Sequence, residues 1–288
     1  MQTLTLDADL LRIPVGPGSL NVERYGHGGP AVILLHGYGT CSFVWRHIGP
    51  SIATANLTAF AVDLFGHGES DRPADADYGI AAQAEYLDRA LTALRLQRAT
   101  VVGLDLGAAV ALRLAAAQPD RVEKLVLINP IGMDEVPAAD VRDVQKNTAR
   151  YALQVSRGTL GAAPLLRELL RGSVADPARM PESLIARYLA PYVGRDGVDQ
   201  LLRLSRFIDK RDLDEIDLHA LPHPTLIVRG ERDMWVPPKV ADALSATIGG
   251  SRLVRVPDAA RLLPEETPDA LANLILDFIG ARGVGGTF

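Results

Sequence analysis

Between Val101 and Ala109 the chain reads Val-Val-Gly-Leu-Asp-Leu-Gly-Ala-Ala, and the aspartate at its centre is the residue best placed to do chemistry. Apolar residues lead into Gly103-Leu104-Asp105-Leu106-Gly107. A run of small and apolar residues, Ala108 to Ala117 with Arg113 its only polar member, leads out. That pattern predicts a buried strand, a sharp turn and a buried helix. Glycines on both sides permit so tight a turn. It sets residue 105 on a strained corner at the carboxyl end of a parallel sheet, beside the first N–H groups of a helix. Such elbows usually carry a serine hydroxyl. A carboxylate at 105 serves instead as a nucleophile or as a charged fixture.

Four further clusters follow apolar runs: His36-Gly37-Tyr38-Gly39-Thr40, Gly66-His67-Gly68-Glu69-Ser70, Gly230-Glu231-Arg232-Asp233, and Pro257-Asp258-Ala259-Ala260-Arg261 with Glu266-Thr267-Pro268. No His, Cys, Asp and Glu grouping has metal-ligand spacing, so no metal site is expected. The glycine-rich turns lack a P-loop lysine and a G-x-G-x-x-G context, and no cofactor is implied. Cys41 is the single cysteine, which excludes an intramolecular disulfide and lies in no motif that frames a nucleophile.

The elements that must position these clusters alternate. Two short apolar stretches in residues 9–25, around Gly16-Pro17-Gly18, predict an edge hairpin. Strands follow at 31–35 and 59–62, with a helix between them carrying Phe43, Val44, Ile48 and Ile52. Then come a helix at about 79–97, a strand at 100–104, a helix at 107–117 and a strand at 124–128. The alternation is that of a doubly wound, mostly parallel α/β sheet. Residues 134–215 interrupt it with amphipathic helical stretches broken by Gly158, Gly161, Gly172, Pro177, Pro181, Pro191 and Gly197. They read as a helical lid inserted between two parts of one core, 1–133 and 216–288. Strands at 224–228 and 252–256 and helices from 238 and over 268–281 complete the core.

With 288 residues, 48% of them hydrophobic and 23% charged, one large core is affordable and two independent ones are not needed. A net charge of −5 with no basic cluster argues against a nucleic-acid partner. Met1 to Asp9 has no basic segment and no apolar run of leader or membrane length, so a cytoplasmic location without membrane attachment is expected. Oligomeric state is not legible.

Taken in order, these clusters resemble the α/β-hydrolase fold over about residues 9–281, an eight-stranded sheet with an inserted cap. With aspartate at the elbow, the chain is most similar to the haloalkane and fluoroacetate dehalogenases and the epoxide hydrolases. The resemblance implies that Asp105 attacks carbon to form an ester, which a histidine-activated water cleaves. It implies that Asp233 is the acid orienting that histidine. The backbone N–H groups of Tyr38 and Leu106 would bind the oxyanion. His36 and Trp235 are candidates to line the pocket. The family's histidine precedes Glu-x-Pro by five residues, and Glu266-Thr267-Pro268 places Arg261 there. None of the six histidines, His27, His36, His47, His67, His219 and His223, lies in that loop. His36 and His67 belong to structural motifs, and His47, His219 and His223 to surface helices and loops.

Arginine offers only donors and keeps its proton, so it takes none from water. Set between Asp105 and Asp233 it would hold both ionised and weaken Asp105 as base and nucleophile. The three residues would then form either a structural ion cluster or a functional one. Three functions follow. The first is an enzyme that has lost hydrolysis and performs a cyclisation, elimination or isomerisation of a small apolar substrate, with Asp105 orienting or deprotonating it and Arg261 stabilising developing negative charge. The second is an Asp-nucleophile hydrolase whose base comes from the lid or from a misplaced histidine. The third is a non-catalytic binder of a small ligand or a protein.

Overall fold

Ala31–Leu35 is buried at every position, as a strand covered on both faces must be. This is β3 of an eight-stranded sheet in the computed structural model, which describes residues 8–146 and 163–280. The strands are β1 (Asp9–Pro14), β2 (Ser19–Tyr25), β3, β4 (Thr58–Val62), β5 (Ala99–Leu104), β6 (Val122–Ile128), β7 (Thr225–Gly230) and β8 (Arg252–Val256). Their spatial order is β1-β2-β4-β3-β5-β6-β7-β8. β1 pairs with β2, and β2 with β4, antiparallel. All remaining pairs are parallel, which brings the ends of β3, β5, β6, β7 and β8 to one edge. The polar clusters lie past the ends of β3, β4, β5, β7 and β8 at that edge.

Helices α1 (Ile48–Thr54), α2 (Ile80–Ala93) and α3 (Leu106–Ala117) alternate with the first strands. α3 is buried along most of its length, in keeping with its small and apolar sequence. One helix over Phe43–Ile52 is not what forms. Ser42–Trp45 is a 3-10 turn and α1 begins only at Ile48. Pro50 is the reason, because proline lacks an N–H and is tolerated only in a helix's first turn. The helix expected to 97 stops at Ala93, where Arg95 takes a left-handed φ of 58° and Leu96 N–H bonds back to Leu91 O.

Between β6 and β7 the described residues hold helices and no strand: α4 (Ala139–Gln145), α5 (Ala163–Gly172), α6 (Glu182–Leu189), α7 (Gly194–Phe207) and α8 (Arg211–Asp214). Gly158 and Gly161 lie outside the described residues. α9 (Pro238–Thr247), α10 (Leu263–Glu266) and α11 (Pro268–Ile279) close the chain. The helical insertion is fastened to the loop after β8. Leu262 N–H donates to Ser173 O at 2.9 Å, and Ala175 N–H to Glu266 Oε1 at 2.6 Å. Tyr188 of α6 bonds to Glu265, which also takes a forked pair from Arg46 at 2.6 and 2.7 Å. No helix among the described residues is long and apolar enough to cross a membrane.

Candidate active site

The elbow forms because its glycines cannot be anything larger. A Cβ on Gly103 would sit 2.3 Å from Gly107 O, and one on Gly107 would sit 2.5 Å from Leu35 O. Between them Asp105 takes φ 54° and ψ −112°, a conformation costly for a side-chain-bearing residue. The corner is held by Asp105 N–H donating to Ile128 O at 2.9 Å. It aims the carboxylate at the turn after β3, where Tyr38 N–H donates to Asp105 Oδ2 at 2.9 Å. Gly37 permits that approach, since a Cβ there would meet Asp105 Oδ2 at 2.8 Å. Leu106 opens α3, whose first N–H groups have no acceptor within the helix.

Arg261, on the turn after β8, reaches the other oxygen: its Nη2 lies 2.6 Å from Asp105 Oδ1, an ion pair that is off-line for a hydrogen bond. Its Nη1 donates to Asp140 Oδ2 of α4. Asp105, Asp140 and Arg261 are all buried. The expected bridge from Arg261 to Asp233 is therefore corrected: among the described residues its ion pairs are with Asp105 and Asp140. A guanidinium on three methylenes reaches farther than an imidazole and spans from the sheet edge to the helical insertion. Asp233 is satisfied elsewhere. Its Oδ1 accepts from Trp235 N–H at 2.8 Å and Val236 N–H at 3.3 Å, and its Oδ2 lies 3.4 Å from Arg229 Nη1.

Asn129, unmarked in the sequence, sets the position of Arg261. Its Nδ2 donates to the carbonyls of Ala260 and Arg261 at 2.9 and 3.0 Å, and its Oδ1 accepts from Gly230 N–H at 2.8 Å. Asp140 also went unmarked, because an aspartate in the first turn of a helix is ordinary dipole complementarity. The start of α4 hangs on Ala139 N–H donating to Trp235 O at 3.3 Å.

Burial drives the electrostatics. Loss of water raises the Asp105 carboxyl above its ordinary range, against the lowering pull of Arg261 and with the push of Asp140. Arg261 does pull the Asp105 carboxyl down as expected, but burial outweighs that pull, which corrects only the expected net direction. Asp233 is raised by burial too, opposed by Arg261, the Trp235 N–H and Arg229. Burial works against the Arg261 charge, but Asp105 and Asp140 hold the guanidinium still more firmly protonated than usual. Two carboxylates sharing one guanidinium leave an excess negative charge in the cluster.

A cavity of about 20 Å³ opens against Asp105, Asp140, Arg261 and Tyr38, roofed by Leu166, Leu169 and Leu170. One water needs ~10–15 Å³ by this measure. Neither His36 nor Trp235 is among its described lining residues, which corrects both as pocket candidates. His36 is a buried strut: Nδ1 pairs with Gly37 O at 2.7 Å, Nε2 accepts from Leu64 N–H at 3.0 Å, and burial lowers its affinity for a proton. His67 packs edge-on against it at 5.1 Å. The Trp235 ring lies over Gly172, where a Cβ would meet Cζ2 at 2.8 Å. His223 is buried rather than on the surface, in the turn before β7 at the opposite sheet edge. Among the described residues no group of three or more His, Cys, Asp and Glu is arranged to hold a metal.

A fold with this strand order and a polar elbow at the sheet's carboxyl edge defines a class, and the chain belongs to it: the alpha/beta hydrolase fold family model matches residues 30–268. Within that family the chain is 28% identical over 287 residues to a haloalkane dehalogenase of Mesorhizobium japonicum, covering 93% of this chain and 90% of that one. It is 27% identical over 269 residues to a 2-hydroxymuconate semialdehyde hydrolase of a Pseudomonas species, covering 90% and 89%. An alpha/beta hydrolase fold protein of Burkholderia ambifaria superposes with a TM-score of 0.80 at 28% identity, covering 94% and 99%.

Proposed function

We propose that this chain is a hydrolase in which Asp105 attacks the carbon of a small halogenated alkane or epoxide. The observation that carries the reading is the posture of Asp105. One oxygen is fixed by the Tyr38 N–H, and the other faces a cavity at the sheet edge beside Arg261. With an alkyl halide, a carboxylate electron pair forms the carbon–oxygen bond while the halide leaves with the carbon–halogen pair. Water then cleaves the ester to return the carboxylate and release an alcohol.

The charge balance of the cluster favours alkylation followed by departure of the halide. In the resting site Asp105 and Asp140 share one guanidinium; once the ester has formed and the halide has carried its charge into solvent, Arg261 and Asp140 form a balanced pair. Burying an uncompensated charge is unfavourable, so halide departure removes a strain that the resting site carries. Two of the relatives named above are a haloalkane dehalogenase and a 2-hydroxymuconate semialdehyde hydrolase, which supports hydrolysis over the cyclisation, elimination or isomerisation expected from the sequence. Because the cavity is of water size, a substrate enters by displacing the leucines that line it.

The test is halide release from short primary bromoalkanes, with Asp105→Asn as the control. Steady release by the wild type and none by a folded Asp105→Asn is the expected result. Equal release by the two would remove Asp105 from the chemistry. Recovery of every probe unchanged, with binding evident as a raised melting temperature, would make the chain a binder.

A further inference from the structure

Hydrolysis of an ester on Asp105 needs a proton acceptor beside the ester, and the family position for it holds Arg261, which is permanently protonated. No histidine is among the described residues that line the cavity: both nitrogens of His36 are engaged within its own motif, His67 packs against His36, and His223 stands at the far edge of the sheet. One acceptor does face the cavity. Asp140 is 3% exposed and lines the same water-sized space as Asp105. Its Oδ2 is held by Arg261, while its Oδ1 is buried with no hydrogen-bond partner. A buried carboxylate oxygen left unpaired is costly, and it is tolerated where it has a task.

We infer that Asp140, delivered from α4 of the helical insertion, is the general base that activates the hydrolytic water. The inference rests on the reading of Asp105 as nucleophile. Water gives one proton to Asp140 Oδ1, and its oxygen bonds to the carbonyl carbon of the Asp105 ester. The bond from that carbon to the alkyl oxygen then breaks, its electron pair staying on the alkyl oxygen. That oxygen takes the proton from Asp140 and leaves as the alcohol. The new Asp105 carboxyl loses its remaining proton to solvent, so the sum is alkyl halide plus water giving alcohol, halide and a proton. Arg261 acts as a positioning residue: one face of its guanidinium fixes Asp140 while the other orients the carboxyl under attack.

This division of labour separates the two half-reactions. With the full-length protein and a short primary bromoalkane, the wild type releases halide over many turnovers. Asp140→Asn releases one halide per protein, carries the alkyl mass on the Asp105 peptide, and loses ester at least ~10²-fold more slowly, the usual weight of a general base. Formate restores release to Asp140→Ala, which a merely structural role would not allow. In the wild type, ester release slows in D2O while the initial halide burst does not, a readout that needs no variant.

Turnover by Asp140→Asn at the wild-type rate, or a wild-type ester that never clears, overturns Asp140 as base and leaves Asp105 as nucleophile. Ester release indifferent to D2O does the same. Absence of any Asp105 adduct in Asp140→Asn, with the wild type inert toward the bromoalkane, overturns the nucleophile reading and this one with it.

Discussion

Arg261 stands 2.6 Å from Asp105, and both side chains are all but sealed from solvent, at 4% and 2% exposure. The same guanidinium holds Asp140. Removing it leaves two buried carboxylates without a counter-ion. Arg261→Met is expected to cost about 3–5 kcal/mol, the usual result of breaking a buried pair from one side. Adding Asp105→Asn and Asp140→Asn, which neutralise without changing shape, recovers most of that loss. Denaturant melts of the single and triple variants check it. A single variant as stable as the wild type would mean that the guanidinium does not hold these charges.

Acidity follows from the raised carboxyl of Asp105. A group that binds its proton more tightly folded than unfolded contributes stability in full below the unfolded value, ~3.9 for aspartate, and loses it as pH rises through the folded value. Asp105→Asn escapes that loss. Its melting temperature relative to wild type is therefore expected to climb as pH rises from about 4. A gap that narrows with pH would reverse the sign. Alkylation needs the ionised form, so halide release by the wild type falls on acidification at a pH above the ordinary aspartate range.

Asn129 bonds to both carbonyls behind Arg261 and to the Gly230 N–H, from a left-handed φ of 41° that asparagine tolerates better than most residues. Asn129→Ala is expected to destabilise by about 1–3 kcal/mol through the polar groups it orphans. It should also slow halide release, because Arg261 loses its anchor. Unchanged release in a destabilised variant would confine Asn129 to the fold.

Gly37→Ala tests the oxyanion contact. The added Cβ, 2.8 Å from Asp105 Oδ2, forces the carboxylate away from the Tyr38 N–H. Loss of one such donor is worth about 10²-fold in rate. Halide release should fall by that order, while thermal melts show only the ~1–3 kcal/mol typical of overpacking.

The sheet was legible because β3, β4, β5, β7 and β8 are each followed by a polar cluster, and the order of those clusters along the chain is distinctive. The elbow's glycines mark a turn that no Cβ would survive, so Asp105 stood out from type and spacing alone. Asp140 did not. Its partner lies 121 residues away, and an aspartate at the start of a helix already has an ordinary local explanation. The reach of Arg261 was misjudged for a related reason: the sequence shows which residue replaces the base but not where a long side chain ends. Pro50, by contrast, carried a helix boundary that hydrophobic spacing alone had overrun.

The central claim is that Asp105 forms a covalent bond to substrate carbon, and oxygen labelling reads it most directly. In a single turnover of a bromoalkane in oxygen-18 water, the label is expected in the Asp105 carboxylate, with the released alcohol unlabelled. Labelled alcohol from an unlabelled Asp105 would mean that water attacks the substrate itself, and the nucleophilic role of this residue would be contradicted.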